Sequence, residues 1–209
     1  MLYVFDDIDC LGDSFFTRVD SLLSNQRREK AQKYKSVKEQ NASIAVFLLL
    51  RLALKEQYGI NEAVEFGYNS KENVSKPYLI DYPEIHFNLS HCKTAVACAV
   101  LDIEVGVDVQ HITTISETVA KRVLTDNEYK GFKKSKKPNE YFTKIWTIKE
   151  SYVKKTGQGI VADFSKIIAD DLLDKTIYKS KNYICCITQK NADIKLIKYE
   201  EIFDGLLYN

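Results

Sequence analysis

The run ASIAVFLLLRLALKEQYG, residues 42–59, constrains this chain more than any other stretch, because its apolar side chains fall on nearly every side of a helix. A helix of that kind is mostly buried, and Gly59 ends it. The basic segment RREKAQKYKSVKEQ precedes it, so the pattern predicts one long helix from about Asn25 to Tyr58, after a short helical stretch between Ser14 and Ser24. Its opening turns bring Arg27, Lys30 and Tyr34 near one another, a spacing that a plain solvated helix face shares.

Short β-rich segments follow at 64–68, 85–89, 94–101 and 103–109, and residues 2–5 read as a first strand. The buried helix therefore lies against a mostly antiparallel sheet. In IEVGVDVQ, from Ile103, the alternation sends Ile103, Val105, Val107 and Val109 one way, and Glu104, Gly106, Asp108 and Gln110 the other. Asp108 is then an acid on a strand, beside a glycine that opens space. His111 to Thr114 is the expected crossing between a lobe over 1–110 and a lobe over 111–209. Helices are expected at 116–123, 126–133 and 139–156, and strands near 167, at 183–188 and at 194–199 complete the second lobe. A short helix ends the chain. Thr125 and Glu128 have capping-box spacing, which accounts for Glu128 locally. Both lobes run helix first and strands after, an α+β architecture with a hint of duplication.

In PNEYFTKIWTIKESYVKKTGQGI, from Pro138, a period of roughly 100° per residue places Phe142, Ile145, Trp146, Tyr152 and Val153 on one face. Lys149 lands within that face, and Glu150 and Lys154 lie one turn apart on its edge. Taken singly, these are a snorkelling lysine and a surface salt bridge; taken together, an acid and a base sharing a cleft.

Net charge is +1, from 30 basic and 29 acidic residues, which argues against a generally cationic nucleic-acid binder; the basic run Lys130–Lys137 reads as a solvated segment or a patch for an acidic partner. The acidic N-terminus and the lack of a membrane-length apolar run point to a cytosolic protein. Five cysteines without CxxC spacing predict free thiols rather than disulfides or zinc. Walker, GxGxxG, GxSxG and HExxH patterns are absent.

Four segments carry chemistry-capable residues: SKP at 75–77, FNLSHC at 87–92, VGVDVQ at 105–110 and WTIKESYVKKTGQG at 146–159. Their order, and above all the pairing of (I/V)G(I/V)D with WxxKE(S/A)xxK, resembles the 4′-phosphopantetheinyl transferases of the surfactin-synthetase-activating type, from about Arg27 to Phe164. The resemblance implies a monomer of two similar lobes related by a pseudo-twofold axis. It implies transfer of the phosphopantetheine arm of coenzyme A to a serine of an apo acyl or peptidyl carrier protein, releasing adenosine 3′,5′-bisphosphate. Carrier docking falls to the second lobe, with no nucleic acid or membrane involved. Mg²⁺ is the implied metal, with Mn²⁺ as an alternative.

By the same resemblance Asp108 and Glu150 are metal ligands, with Gln110 at the third position. Lys154 meets the pyrophosphate, and Asp108, Glu150 and Lys154 form the catalytic group. Ser90, His91, Lys76 and Pro77 match coenzyme A contacts, and Arg27, Lys30 and Ser43 match the 3′-phosphate site. Lys149 has its charge matched by the same phosphates, and Glu128 matches an acid facing the cleft. Glu150 is expected to accept the serine proton, and Lys154 to protonate or stabilise the departing bisphosphate. Two departures stand out. Gln110 replaces the usual Glu, which weakens the metal site and leaves as the alternative a catalytically weakened coenzyme A or carrier-protein binding module. Ala42 stands where an arginine is usual, so that some coenzyme A affinity is either missing or supplied by Lys38 or Arg51.

Overall fold

Why the central helix tolerates apolar residues all round is visible from what surrounds it in the computed structural model, which describes residues 1–68, 76–159 and 163–207. The predicted long helix is two. The first, α2 (Asn25–Gln32), follows a short α1 (Phe15–Val19), and the second, α3 (Val37–Tyr58), begins afresh where the Ser36 side chain accepts from the Glu39 backbone N–H. A serine N-cap satisfies a helix-start donor that an uninterrupted helix would bond internally, so the chain breaks here without Gly or Pro. Gly59, at φ 71°, closes α3 in the left-handed conformation. Residues 41–54 of α3 are all buried.

The sheet beneath α3 has strand order β4–β5–β1–β9, from β1 (Leu2–Phe5), β4 (His86–His91), β5 (Val96–Leu101) and β9 (Ile194–Leu196). β1 and β4 run antiparallel to β5, with Leu2 opposite Ala99 and Ser90 opposite Ala97; β9 runs parallel to β1. The strand expected at 194–199 in the second lobe thus joins the first sheet. The C-terminal helix α7 (Tyr199–Leu207) covers α3 from another side, where Lys55 Nζ donates to the Gly205 carbonyl at 2.7 Å. β2 (Phe66–Tyr68) and β3 (Pro77–Leu79) form a separate pair; Ser75 lies outside the described residues.

The second sheet has order β6–β8–β7, all antiparallel: β6 (Val107–His111), β8 (Tyr183–Ile187) and β7 (Thr176–Lys179). Periodicity missed β7, and no strand forms near Ile167, where Phe164–Lys166 is a 3-10 turn. β6 starts later than expected: Ile103 is 56% exposed, whereas Val105, Val107 and Val109 are buried. They pack with Leu2, Val4, Ala97 and Ala99 in a core between the two sheets, while Tyr3 and Phe5, alternate residues of β1, join the core under α3. α4 (Glu117–Val123), α5 (Asp126–Lys134) and α6 (Pro138–Thr156) cover the far face, with Cys186 of β8 in their core. The layers are therefore α3, first sheet, second sheet, α6, a mixed α/β architecture.

Where β4 meets β6, side chains replace a backbone ladder. Asn88 Oδ1 accepts from Val107 N–H and Ser90 Oγ from Val109 N–H, each at 3.1 Å. On the other side of β6, a Cβ on Gly106 would collide with the Ser151 carbonyl and stand 2.6 Å from the Lys155 nitrogen, so glycine lets α6 seat directly on this strand. Cys98, Cys185 and Cys186 are buried free thiols, Cys92 is partly covered, and Cys10 is exposed. Among the described residues no helix is long and apolar enough to cross a membrane.

Candidate active site

α6 faces two environments at once. Trp146, Glu150, Val153, Lys154 and Gly157 form one stripe along it and line a cavity of about 850 Å³. Lys149, one residue from Glu150 and about 100° around the helix, points the other way. Its Nζ is completely buried and donates to Glu128 Oε2 at 2.6 Å, the Val123 carbonyl at 3.0 Å and the Phe164 carbonyl at 2.9 Å. An ammonium has three donors, and all three are taken. Lys149 therefore neither snorkels to water nor reaches phosphates in the cavity, correcting both expectations. Glu128 is likewise engaged: besides closing the capping box on Thr125, it accepts from Ala169 N–H at 3.0 Å. Burial works to raise its pKa, but the bonds from Lys149, Ala169 and Thr125 outweigh it and hold the carboxyl below its ordinary range.

On the cavity side, Lys154 Nζ lies 2.6 Å from Asp108 Oδ1 and 2.9 Å from Ser90 Oγ. The expected Glu150–Lys154 surface bridge does not form; Lys154 reaches across to β6 instead. Asp108 is 1% exposed, and its second oxygen, Oδ2, is buried with no hydrogen-bond partner. Glu150 is half-buried and has no hydrogen-bond partner among the described residues; burial first, and the nearby Asp108 charge second, raise its pKa. Two carboxylates thus face one lysine. Gln110 sits two residues along β6 from Asp108, half-buried, outside the cavity lining and without a side-chain partner among the described residues. Among the described residues no three His, Cys, Asp or Glu side chains gather around a point.

Cations line the same cavity. Arg27 is 5% exposed, anchored by Nη2 to Ser43 Oγ at 3.0 Å and to the Ser43 carbonyl, while its Nε has no partner. Burial lowers its pKa to about 10, and crowding together with Arg27 lowers that of Lys30. The His91 imidazole has an exposed edge, yet the protein packed around it, followed by Lys154, Arg27 and Lys30, pulls its pKa below the ordinary value. Lys76 and Pro77 complete this wall, with Lys76 also paired to Glu104 and bonded to the Lys155 carbonyl. Lys38 and Arg51, candidates to replace a missing arginine, are occupied elsewhere: Lys38 on Asp9 at 2.6 Å, Arg51 on the carbonyls of Leu22 and Asn61.

An apolar wall was not foreseen as part of the site. Trp146 stacks on Phe164 at 5.0 Å and 12°, and Phe66 and Tyr68 also line the cavity. Trp146 had a signal, its place in the motif; Phe66 and Tyr68 had none beyond strand propensity. The result is a cleft with a flat aromatic surface, several cations and the Glu150 carboxylate, with Asp108 buried behind Lys154, suited to an aromatic, multiply phosphorylated ligand.

A layered α/β chain with such a cleft defines a protein that handles phosphates, and relatives place it further. The family model for the 4′-phosphopantetheinyl transferase superfamily matches residues 104–199. The chain is 30% identical over 170 residues to the 4′-phosphopantetheinyl transferase gsp of Aneurinibacillus migulanus, covering 80% of this chain and 70% of that one. It is 32% identical to the 4′-phosphopantetheinyl transferase ffp of Bacillus subtilis and 30% identical to the 4′-phosphopantetheinyl transferase Sfp of Bacillus subtilis strain 168, each over 145 residues, 68% of this chain and 64% of the relative. In these two cases it spans a little under two thirds of the relative's length. This chain belongs to the 4′-phosphopantetheinyl transferase superfamily.

Proposed function

We propose that this protein transfers the 4′-phosphopantetheine group of coenzyme A to a serine of an apo acyl or peptidyl carrier protein, leaving adenosine 3′,5′-bisphosphate. The observation that carries the reading is the meeting of Asp108, Glu150 and Lys154 beside a cavity that also presents Arg27, Lys30 and His91. The cationic wall suits the phosphates and Trp146 with its aromatic neighbours suits the base.

The residues fit a magnesium ion: Asp108 Oδ2 is a buried carboxylate oxygen with no partner, and Glu150 is raised in pKa partly by the charge beside it. Asp108 and Glu150 would hold the ion, with Gln110 or water completing the set. When bound, Mg²⁺ neutralises charge on the pyrophosphate. In the chemical step the carrier serine oxygen bonds to the β-phosphorus as the bond from that phosphorus to the bridging oxygen breaks. Glu150, whose pKa burial and the Asp108 charge raise above the ordinary carboxylate value, takes the serine proton. Lys154, 30% exposed in its side chain against 1% for Asp108, is the mobile partner of their pair; it turns from Asp108 to the departing bisphosphate oxygen and stabilises or protonates it.

In this reading residues 1–110 supply the 3′-phosphate contacts and Asp108, the latter on a strand that pairs into the second sheet, and residues 111–209 supply α6 and the carrier-docking surface, with the two helix-and-sheet layers as similar lobes about a pseudo-twofold axis. One long helix on the outer face of each sheet supports that symmetry. The cleft is assembled within one chain, which favours action as a monomer. A second reading, a weakened binding module, has Gln110 in its favour.

Incubation with coenzyme A, Mg²⁺ and several apo carrier domains, followed by weighing of the carriers by mass spectrometry, separates the two. Gain of one phosphopantetheine mass on a carrier supports the transferase, whereas coenzyme A binding with no mass gain on any carrier supports the module.

A further inference from the structure

Lys76 stands on the wall between two cavities. It lines the cleft of about 850 Å³ together with Arg27, Lys30 and His91, and it also lines a neighbouring cavity of about 690 Å³ with His86, Glu104 and Lys155. Its ammonium group is drawn to the second side. There it pairs with Glu104 Oε2 and donates to the Lys155 carbonyl at 3.2 Å, an oxygen in the last turn of α6, where helix carbonyls lack internal partners. With two of its three donors taken, one N–H is left for the cleft. Glu104 lies in the turn between β5 and β6, and it lines the second cavity but not the first. Its side chain is 55% exposed, yet both oxygens are engaged, because His86 Nδ1 lies 3.3 Å from Oε1.

We infer that Glu104 is a competitor built into the fold: it holds Lys76 back from the phosphates of coenzyme A and so sets how tightly the cleft takes that ligand. This rests on the cleft binding coenzyme A, the function proposed above. Other cations of the cleft are matched by buried groups, Arg27 by Ser43 and Lys154 by Asp108 and Ser90. Lys76 is matched by an exposed carboxylate. A phosphate entering the cleft therefore meets an ammonium that already has an anion. Either Lys76 leaves Glu104, or it is shared between two anions whose like charges repel. Both courses subtract from affinity. An exposed ion pair is weak enough to be given up, so the competition tunes binding without abolishing it. The Lys155 carbonyl carries no net charge and can stay a partner of Lys76 while a phosphate is bound, which leaves Glu104 as the rival.

The test measures coenzyme A binding to the full chain by calorimetry in EDTA, at low and at high salt. Glu104→Gln keeps the shape of the side chain and removes its charge, and is expected to tighten binding about 3- to 10-fold at low salt. Glu104→Ala acts in the same direction and serves if the first variant does not fold. The gain shrinks at high salt, as an effect of charge must and an effect of packing need not. In a Lys76→Met background Glu104→Gln gains little, because no lysine remains to be held back. Unchanged or weaker coenzyme A binding in Glu104→Gln overturns the inference, and so does a gain of the same size without Lys76. These outcomes are read against an unsubstituted protein that binds coenzyme A; if it binds none, the function proposed above fails, and this inference with it.

Discussion

At the residue scale, the site is a set of charges whose ordinary ionisation is disturbed for identifiable reasons. Burial first, then Lys154, Arg27 and Lys30, depress the His91 pKa below 6.5. A depressed histidine favours the fold in its neutral form, so this stabilisation is present above pH 6.5 and is lost as pH falls through the lower, folded value. In the free protein the His91 imidazole is expected to titrate below 6.5 by nuclear magnetic resonance, assigned with a His91→Asn variant, and to move upward when coenzyme A brings phosphates to the same wall. No upward movement would separate His91 from the phosphates.

The buried Lys149–Glu128 pair makes the opposite kind of statement. Glu128→Ala leaves an ammonium buried against two carbonyls and is expected to destabilise the protein by about 3–5 kcal/mol in denaturant titration. A double variant with Lys149→Met recovers much of that loss. Neither partner's role was legible in the sequence, for physical reasons. The capping box explained Glu128 completely, and a lysine on an apolar face reads as snorkelling until a partner 21 residues away is brought to it by α5 packing on α6. The facing directions of Asp108, Glu150 and Lys154 were legible, because the period of the strand and the period of the helix each fix one.

At the scale of elements, a glycine and a serine set positions that hydrophobic pattern alone does not. Gly106→Ala places a methyl against the backbone of Ser151 and Lys155, neither of which can turn aside, and so must shift α6 relative to β6. A loss of about 1–3 kcal/mol is expected from overpacking, with activity falling further than stability, because the same shift separates Lys154 from Asp108. A variant that keeps full activity would show that this seat does not position the site. Ser36→Ala removes the cap that restarts the chain as α3, with an expected loss of about 1 kcal/mol by thermal unfolding. The break itself escaped the sequence reading because KYKS at 33–36 contains no strong helix breaker. β9 escaped it in another way: strand propensity marks a strand, but which sheet it joins depends on contacts between the two ends of the chain.

At the scale of the whole molecule, two sheets packed face to face, each with a long helix outside, place β6 of the second sheet between the side chains of β4 and the helix α6. The alternating pattern of β6 told only half the story. Val105, Val107 and Val109 fill the core between the sheets, while the opposite face of the same strand is buried as well and presents Asp108 to α6. Strand and helix together bring Asp108 behind Lys154 and set Glu150 and Lys154 in the cavity wall, and that arrangement is the basis for proposing phosphopantetheine transfer by this chain. The most direct measurement compares the rate at which an apo carrier gains the phosphopantetheine mass with the unsubstituted protein and with Glu150→Gln, under identical coenzyme A and Mg²⁺. The arrangement predicts rapid gain for the first and a rate lower by about 10²- to 10⁴-fold for the second, with folding and coenzyme A binding retained. Equal rates for the two proteins would contradict it.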